Sequence, residues 1–344
     1  MEIILRAPEG ERAEEIIQEA LDRCRDAGGG KVILEAGRYD TGSLRMYSRT
    51  ELYLKKGVRL KGSADWRDYR DYDFRSTMAY IYNEKYIQAW HLPDHYTHAL
   101  ITAVEAEDVA ITGEEGAVID GSDCFDPAGE EGFRGPFGIV MSRCRGVRLT
   151  GYTVENAANW AHQLDSCENV RMTGVRVLAG HDGVNLHHCT HVELEDCVFE
   201  TGDDCVAGYD VEDLRVSRCG FNSSCNGFRL GGRNVRIQDC SFAGPGRYKH
   251  RISGRHNMLF AFCYYALPED LHRGDSGNWE IENCSFADME GLIYYNHEHA
   301  DDLGIQSGVP LRSVTFRKIS VHGLRCHPTF AGPGVLTLEE VRSV

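Results

Sequence analysis

The sequence has little proline, 9 residues in 344, no excess of positive charge, no C-x-x-C pair and no apolar run of membrane-spanning length. Each absence excludes something. With 37 Lys+Arg against 53 Asp+Glu the net charge is −16, so the basic footprint that nucleic acid or an anionic membrane requires is missing. The lack of C-x-x-C argues against zinc, and neither metal nor cofactor is expected. The opening residues, MEIILRAPEGERAEE, hold no basic segment followed by a long apolar one. The expectation is a cytoplasmic protein, or a secreted one whose signal peptide has been trimmed. Thirteen cysteines is an odd number, and most stand beside apolar residues in strand-like patterns, which suits reduced thiols rather than a disulfide framework.

What is present is a repeat. Cys197, Cys219, Cys240 and Cys284 each sit two residues before a phenylalanine, at intervals of 22, 21 and 44 residues, the last interval reading as two periods. Alternating segments recur at the same spacing: Asn169-Val-Arg-Met, His191-Val-Glu-Leu, Asp213-Leu-Arg-Val, Asn234-Val-Arg-Ile and Asn278-Trp-Glu-Ile. Strict alternation means strands with one buried face, and Asn, Asp and Gly between them mark turns. A unit of 22 residues cannot bury a core alone, and it is too short for a crossover helix. The pattern therefore predicts an all-β, right-handed parallel β-helix forming a single domain over 1–344. The repeated cysteines read as an inward ladder of small apolar side chains. Ala13, Ile16, Ile17, Ala20, Leu21 and Cys24 follow helical spacing, which predicts an N-terminal capping helix over about residues 12–27. Residues 66–98 and 125–136 break the period and are expected to be loop insertions.

In such a solenoid, residues one coil apart stack at about 4.8 Å. Trp160, Asp182, Asp204 and Asn226, each 22 residues after the last, are thus expected in one column, with Asp203 beside its middle. Crowded carboxylates repel, which raises the pKa of one and leaves another ionised. That pairing suits glycoside hydrolysis, in which one carboxyl protonates the leaving oxygen and another activates water, while Trp160 stacks on a sugar face. The alternative is that these Asp and Asn side chains simply cap the turns of each coil.

At these residues the chain resembles glycoside hydrolase family 28, the polygalacturonases and their relatives. The family pattern Asn-Thr-Asp-Gly followed by Gly-Asp-Asp-Cys-Ile-Ala is matched by His181-Asp182-Gly183 and by Gly202-Asp203-Asp204-Cys205-Val206-Ala207. Gly28-Gly29-Gly30-Lys31-Val32, Gly37-Arg38-Tyr39 and Lys56-Gly57-Val58-Arg59-Leu60-Lys61-Gly62-Ser63 are similar to its bacterial members. The resemblance implies a metal-free inverting hydrolase, with Asp203 as general acid and Asp182 and Asp204 holding and deprotonating the water. Inversion calls for acid and base about 6.5–9.5 Å apart. Simple alternation would send Asp203 and Asp204 to opposite faces, so a bend after Gly202 is required.

Two positions depart from the family. Its His-Gly is Asn226-Gly227 here, and its later Arg-Ile-Lys, which holds the galacturonate carboxylate, is at best Arg251-Ile252-Ser253. A pectin-related or other plant-type oligosaccharide is the expected partner, neutral or mixed sugars standing level with polygalacturonate. His181, Asn226, Arg229, Lys249, Arg251, Tyr295 and His297 are the candidate substrate-binding residues. Arg233, Arg255, His250, His256, His299 and Tyr294 are further possibilities nearby. Exo action is expected if the two irregular segments close one end of the groove. The rival readings are a β-helical lyase or epimerase acting on uronic acids, and a carbohydrate-binding β-helix without catalysis.

Overall fold

The structure, a computed structural model, describes residues 1–267, 270–297 and 309–344. The chain is a right-handed parallel β-helix, and its Cα packing divides into two compact units, 1–180 and 181–344.

In the first unit, strand Glu2–Leu5, which the helical reading of the N-terminus overlooked, pairs in parallel with Gly30–Leu34. Helix Glu14–Asp26 lies between them in sequence. It buries Ile17, Ala20, Leu21 and Cys24, while Ile16, assigned to the same face, is 36% exposed at its margin. Parallel pairing then carries one apolar row from coil to coil: Val32, Leu52, Ile111, Leu149 and Met172 stand in register, all buried. The segment expected as loop at 66–98 includes the short helix Glu84–Trp90, capped by the Asn83 side chain on Lys85 N–H, and two 3-10 turns. Within 125–136 there is one 3-10 turn, Glu130–Gly132.

The second unit repeats the scheme with larger side chains. Phe199, Phe221, Phe242 and Phe286 are register partners one above another, with ring centroids 5.5, 4.7 and 4.9 Å apart. Cys197, Cys219, Cys240 and Cys284 form the buried ladder that the repeat predicts. The turns explain the Asn and Asp of the repeat. His191, Asp213, Asn234 and Asn278 all take φ between 54° and 56°, a left-handed conformation that Asn and Asp tolerate best among residues with a Cβ. Their side chains also bond from coil to coil, Asn234 Nδ2 to Asp213 Oδ1 at 2.8 Å and Asn278 Nδ2 to Asn234 Oδ1 at 2.9 Å.

One expectation is corrected. The 44-residue interval from Cys240 to Cys284 is a single coil, because Ile237 pairs directly with Ile281 and Phe242 with Phe286. The excess length lies in two excursions, one before and one after strand Met258–Tyr264. Register is set by strand pairing, so a coil can lengthen at its turns without disturbing the stack.

Phe242 touches the rings of Phe221, Phe228, Phe262 and Phe286. Phe242→Ala is expected to cost about 3–5 kcal/mol through the cavity it leaves, read as a lowered urea midpoint.

Candidate active site

The carboxylates belong to the second unit. Asp203 and Asp204 occupy the bend between strands Val198–Thr201 and Val206–Ser217. Outside a strand, successive side chains need not alternate, and both carboxylates join Asp182 in one cluster. One oxygen from each of the three lies within 4.8 Å of the others.

A hydrogen-bond ladder holds the column in place. Asp204 N–H donates to Asp182 Oδ1 at 3.1 Å, Asn226 N–H to Asp204 Oδ1 at 3.0 Å, and Phe260 N–H to Asn226 Oδ1 at 3.2 Å. Each side chain thus caps the next coil, so the capping role weighed as an alternative is real and coexists with the carboxylate cluster. Asn185 Nδ2 adds 2.8 Å to Asp182 Oδ2, and Asn226 Nδ2 adds 2.8 Å to Asp204 Oδ1. The glycines that follow Asp182 and Asn226 are dictated by close approach. A Cβ at Gly183 would stand 2.5 Å from Cys205 O, and one at Gly227 would stand 2.8 Å from Ala261 O.

Asp203 is outside this ladder and more open. Its Oδ1 accepts Asp204 N–H at 3.1 Å, and its carbonyl is held by the hydroxyls of Thr201 and Ser223, each at 2.6 Å. Asp204 is 3% exposed. Burial, and then the Asp203 charge, push its carboxyl up to about 6, against the pull of Arg229 and the Asn226 hydrogen bond. Arg229 lies on the same row as Asn185 and Ala207, its guanidinium 3.9 Å over the Tyr265 ring. No hydrogen bond or ion pair holds that guanidinium among the described residues.

The other candidates differ in exposure. His181 is buried, Lys249 is exposed and His297 is half-buried, its N–H donating to Ala331 O at 2.7 Å. Arg251 lies in a turn and not in a strand, and the next strand, Met258–Tyr264, contains no basic residue. Tyr295 is a correction. It is wholly buried, its hydroxyl accepts Leu311 N–H at 3.1 Å, and it packs on Tyr264 and Phe330 within the core. Trp160 belongs to the first unit and is only 8% exposed, its ring packed on Phe137 and Tyr96, which leaves little aromatic face for a sugar. His299 lies outside the described residues.

His187 and His188 part ways. His188 sits between Asp210, at 3.2 Å from Nδ1, and Asp270, at 3.3 Å from Nε2. Burial works to lower it, yet the two carboxylates push it up to about 9. His187, buried beside that cation, is pushed down to about 3. Tyr265 and His250 are the neighbours of the cluster that the repeat pattern did not select. Both lie in the enlarged coil, where spacing predicts nothing.

Residues 87–233 match the model described as Glycosyl hydrolases family 28, and this span contains the Asp182, Asp203 and Asp204 cluster. Over this span the chain is similar to that family. A probable polygalacturonase of Vitis vinifera is 26% identical over 210 residues, which is 54% of this chain and 38% of the relative, so the chain spans well under half of that protein. Two solved polygalacturonase structures share the fold. The exopolygalacturonase of Thermotoga maritima matches with TM-score 0.71 at 17% identity, over 100% of this chain and 91% of its own. The polygalacturonase of Erwinia carotovora matches with TM-score 0.70 at 16% identity, over 99% and 92%.

The raised carboxyl of Asp204 has a signature in stability. Its folded-state value stands above the ordinary one near 3.8, so the fold favours the neutral form. That contribution is whole below about pH 4 and is lost as pH rises through the folded value. Asp204→Asn, neutral throughout, is expected to exceed the parent in stability at about pH 8 by on the order of 2–3 kcal/mol. The gain should vanish at about pH 4, as urea midpoints at the two pH values would show.

Proposed function

We propose that the chain hydrolyses glycosidic bonds of pectin-related oligosaccharides, acting from a chain end. The observation that carries this reading is the cluster of Asp182, Asp203 and Asp204 within 4.8 Å, one member of which is pushed up to about 6. Asp203, the most accessible of the three, donates its proton to the glycosidic oxygen as the C1–O bond breaks. Asp182 and Asp204 hold a water and take its proton as the water oxygen attacks C1.

Arg229 supports a uronic-acid substrate. A guanidinium stacked on Tyr265, its N–H donors holding no partner among the described residues, is well suited to fork onto a sugar carboxylate. It would supply locally the positive charge that the net charge of −16 denies globally. The polygalacturonase and exopolygalacturonase names of relatives agree with this substrate class and with exo action.

The resemblance to family 28 favours inversion in one displacement. Expected with galacturonan, rhamnogalacturonan, arabinan and galactan fragments is a product whose new anomeric centre, read by NMR, is inverted, and its loss in Asp203→Asn. A retained anomer would assign a nucleophile to the cluster. An ultraviolet-absorbing unsaturated uronate would mean a lyase. Saturable sugar binding with no product would mean a binding protein. Arg229→Leu is expected to lower kcat/KM on uronate-containing fragments by at least about tenfold, with little change on neutral ones.

A further inference from the structure

Beside the row that carries Arg229 runs a second one. Side chains alternate along a strand, so His187 and Tyr209 stand on the same face as Asn185 and Ala207. Tyr265, two residues after Cys263, joins them with its ring edge-on to Tyr209, centroids 5.6 Å apart. An outward row should meet solvent, yet Tyr209 is wholly buried and His187 and Tyr265 are nearly so. The cover is the segment 270–276, which follows strand Met258–Tyr264 and returns to coils laid down 63 to 84 residues earlier. Asp270 accepts the Tyr209 hydroxyl, and the His272 ring lies 5.9 Å from that of Tyr209.

Charge fastens this segment. Arg273 N–H donates to Asp210 Oδ1 at 2.9 Å, and its guanidinium donates to Asp210 Oδ2 and to Thr190 Oγ1, each at 2.7 Å. His188 makes the second fastening, with Nδ1 3.2 Å from Asp210 Oδ2 and Nε2 3.3 Å from Asp270 Oδ1. The two residues that meet here, His188 at φ 56° and Asp210 at φ 54°, are left-handed corners one coil apart, and Asp270 arrives from the returning segment. All three side chains are at most 4% exposed. Two carboxylates shut away from water need a cation between them, and a neutral imidazole, which donates from one nitrogen, could serve only one. Burial works to lower His188, but the carboxylates push it up to about 9.

We propose that His188 is a positioning residue: as a cation it fastens the segment 270–276 over the Tyr209 row, and through Tyr209 and Tyr265 it holds Arg229 in place for the substrate. The second half rests on the uronate reading above; the fastening itself does not. The other charged or titratable groups around it are His187, Tyr209 and His272, with Arg273 3.8 Å from Glu212 and Arg233 2.8 Å from the same carboxylate. Arg273 keeps its charge at any pH used below, so a fastening lost with rising pH points to His188. Because the folded-state value stands above the ordinary 6.5, the contribution is whole below about pH 6.5 and is lost as pH rises through the folded value.

Two measurements on the intact chain test this. The imidazole titration of His188, followed by NMR and assigned with His188→Gln, is expected to have its midpoint above about pH 8, and a midpoint near the ordinary 6.5 would overturn the proposal. The second is trypsin cleavage after Arg273, identified by fragment mass, since cleavage requires the surrounding residues to leave the surface. Rates are divided by those on a small chromogenic peptide to remove the pH dependence of trypsin. The parent should resist at about pH 7.5 and yield toward about pH 9.5. His188→Gln should be cut at least about tenfold faster at the lower pH, because it leaves the buried carboxylates without that cation. His188→Gln/Asp270→Asn removes the charges as a pair and should return to within about threefold of the parent. Equal resistance in parent and His188→Gln, or a double variant cut as fast as the single one, would sink the fastening. If uronate-containing fragments are turned over, His188→Gln should raise KM on them while kcat holds, and an unchanged KM would overturn the link to Arg229. Fastening as expected in a protein that turns over no fragment would leave His188 in its role and remove the hydrolase reading. Should His188→Gln fail to fold, cleavage of the parent across the two pH values decides, and resistance unchanged at the higher one counts against the proposal.

Discussion

Everything in the second unit depends on one coil lying on the next in parallel-strand register. That spacing lets Asp182, Asp204 and Asn226 do two things together. Each side-chain oxygen accepts a backbone N–H from the coil above, and in doing so it is held where the next carboxylate crowds it. A carboxylate free to rotate would turn away from its neighbour. Asp204 cannot, because its hydrogen bonds belong to the fold, and its carboxyl is raised by burial first and then by the charge of Asp203. Structure and chemistry draw on the same atoms, which is why turn capping and a carboxylate cluster are not competing explanations here.

The charges around the cluster are arranged by depth. Asp204 is buried within the ladder, Asp182 is nearly so, and Asp203 hangs outside it with one oxygen engaged by a backbone amide and the other facing His250. Arg229, supported by the Tyr265 face, is the cation whose field reaches Asp204. The row that carries it runs through Asn185, Ala207, Arg229 and Cys263.

Much of this was legible beforehand. The period of 22 residues, the alternating strands and the amphipathic helix each express a local rule whose consequence survives folding. The vertical alignment of Asp182, Asp204 and Asn226 followed from counting alone. Where counting failed, a physical reason can be named. The interval from Cys240 to Cys284 looked like two periods because its length equals two, yet its middle strand and excursions form one coil. Trp160 and Tyr295 looked like sugar-stacking aromatics because composition does not say which side of a strand faces the core, and both rings are packed among other rings.

By itself the sequence determined the repeat, and with it the stacking, since hydrophobic alternation and turn residues act over a few positions at a time. It likewise determined that aspartates would meet one coil apart. Only the tertiary structure decided how far apart the carboxylates stand, which of them is buried, and which distant groups surround them. His250 reaches Asp203 across 47 residues of chain and Tyr265 reaches Arg229 across 36. Both come from a coil whose length escapes the repeat. Desolvation and close contact are properties of the assembled neighbourhood, and no spacing along the chain encodes them.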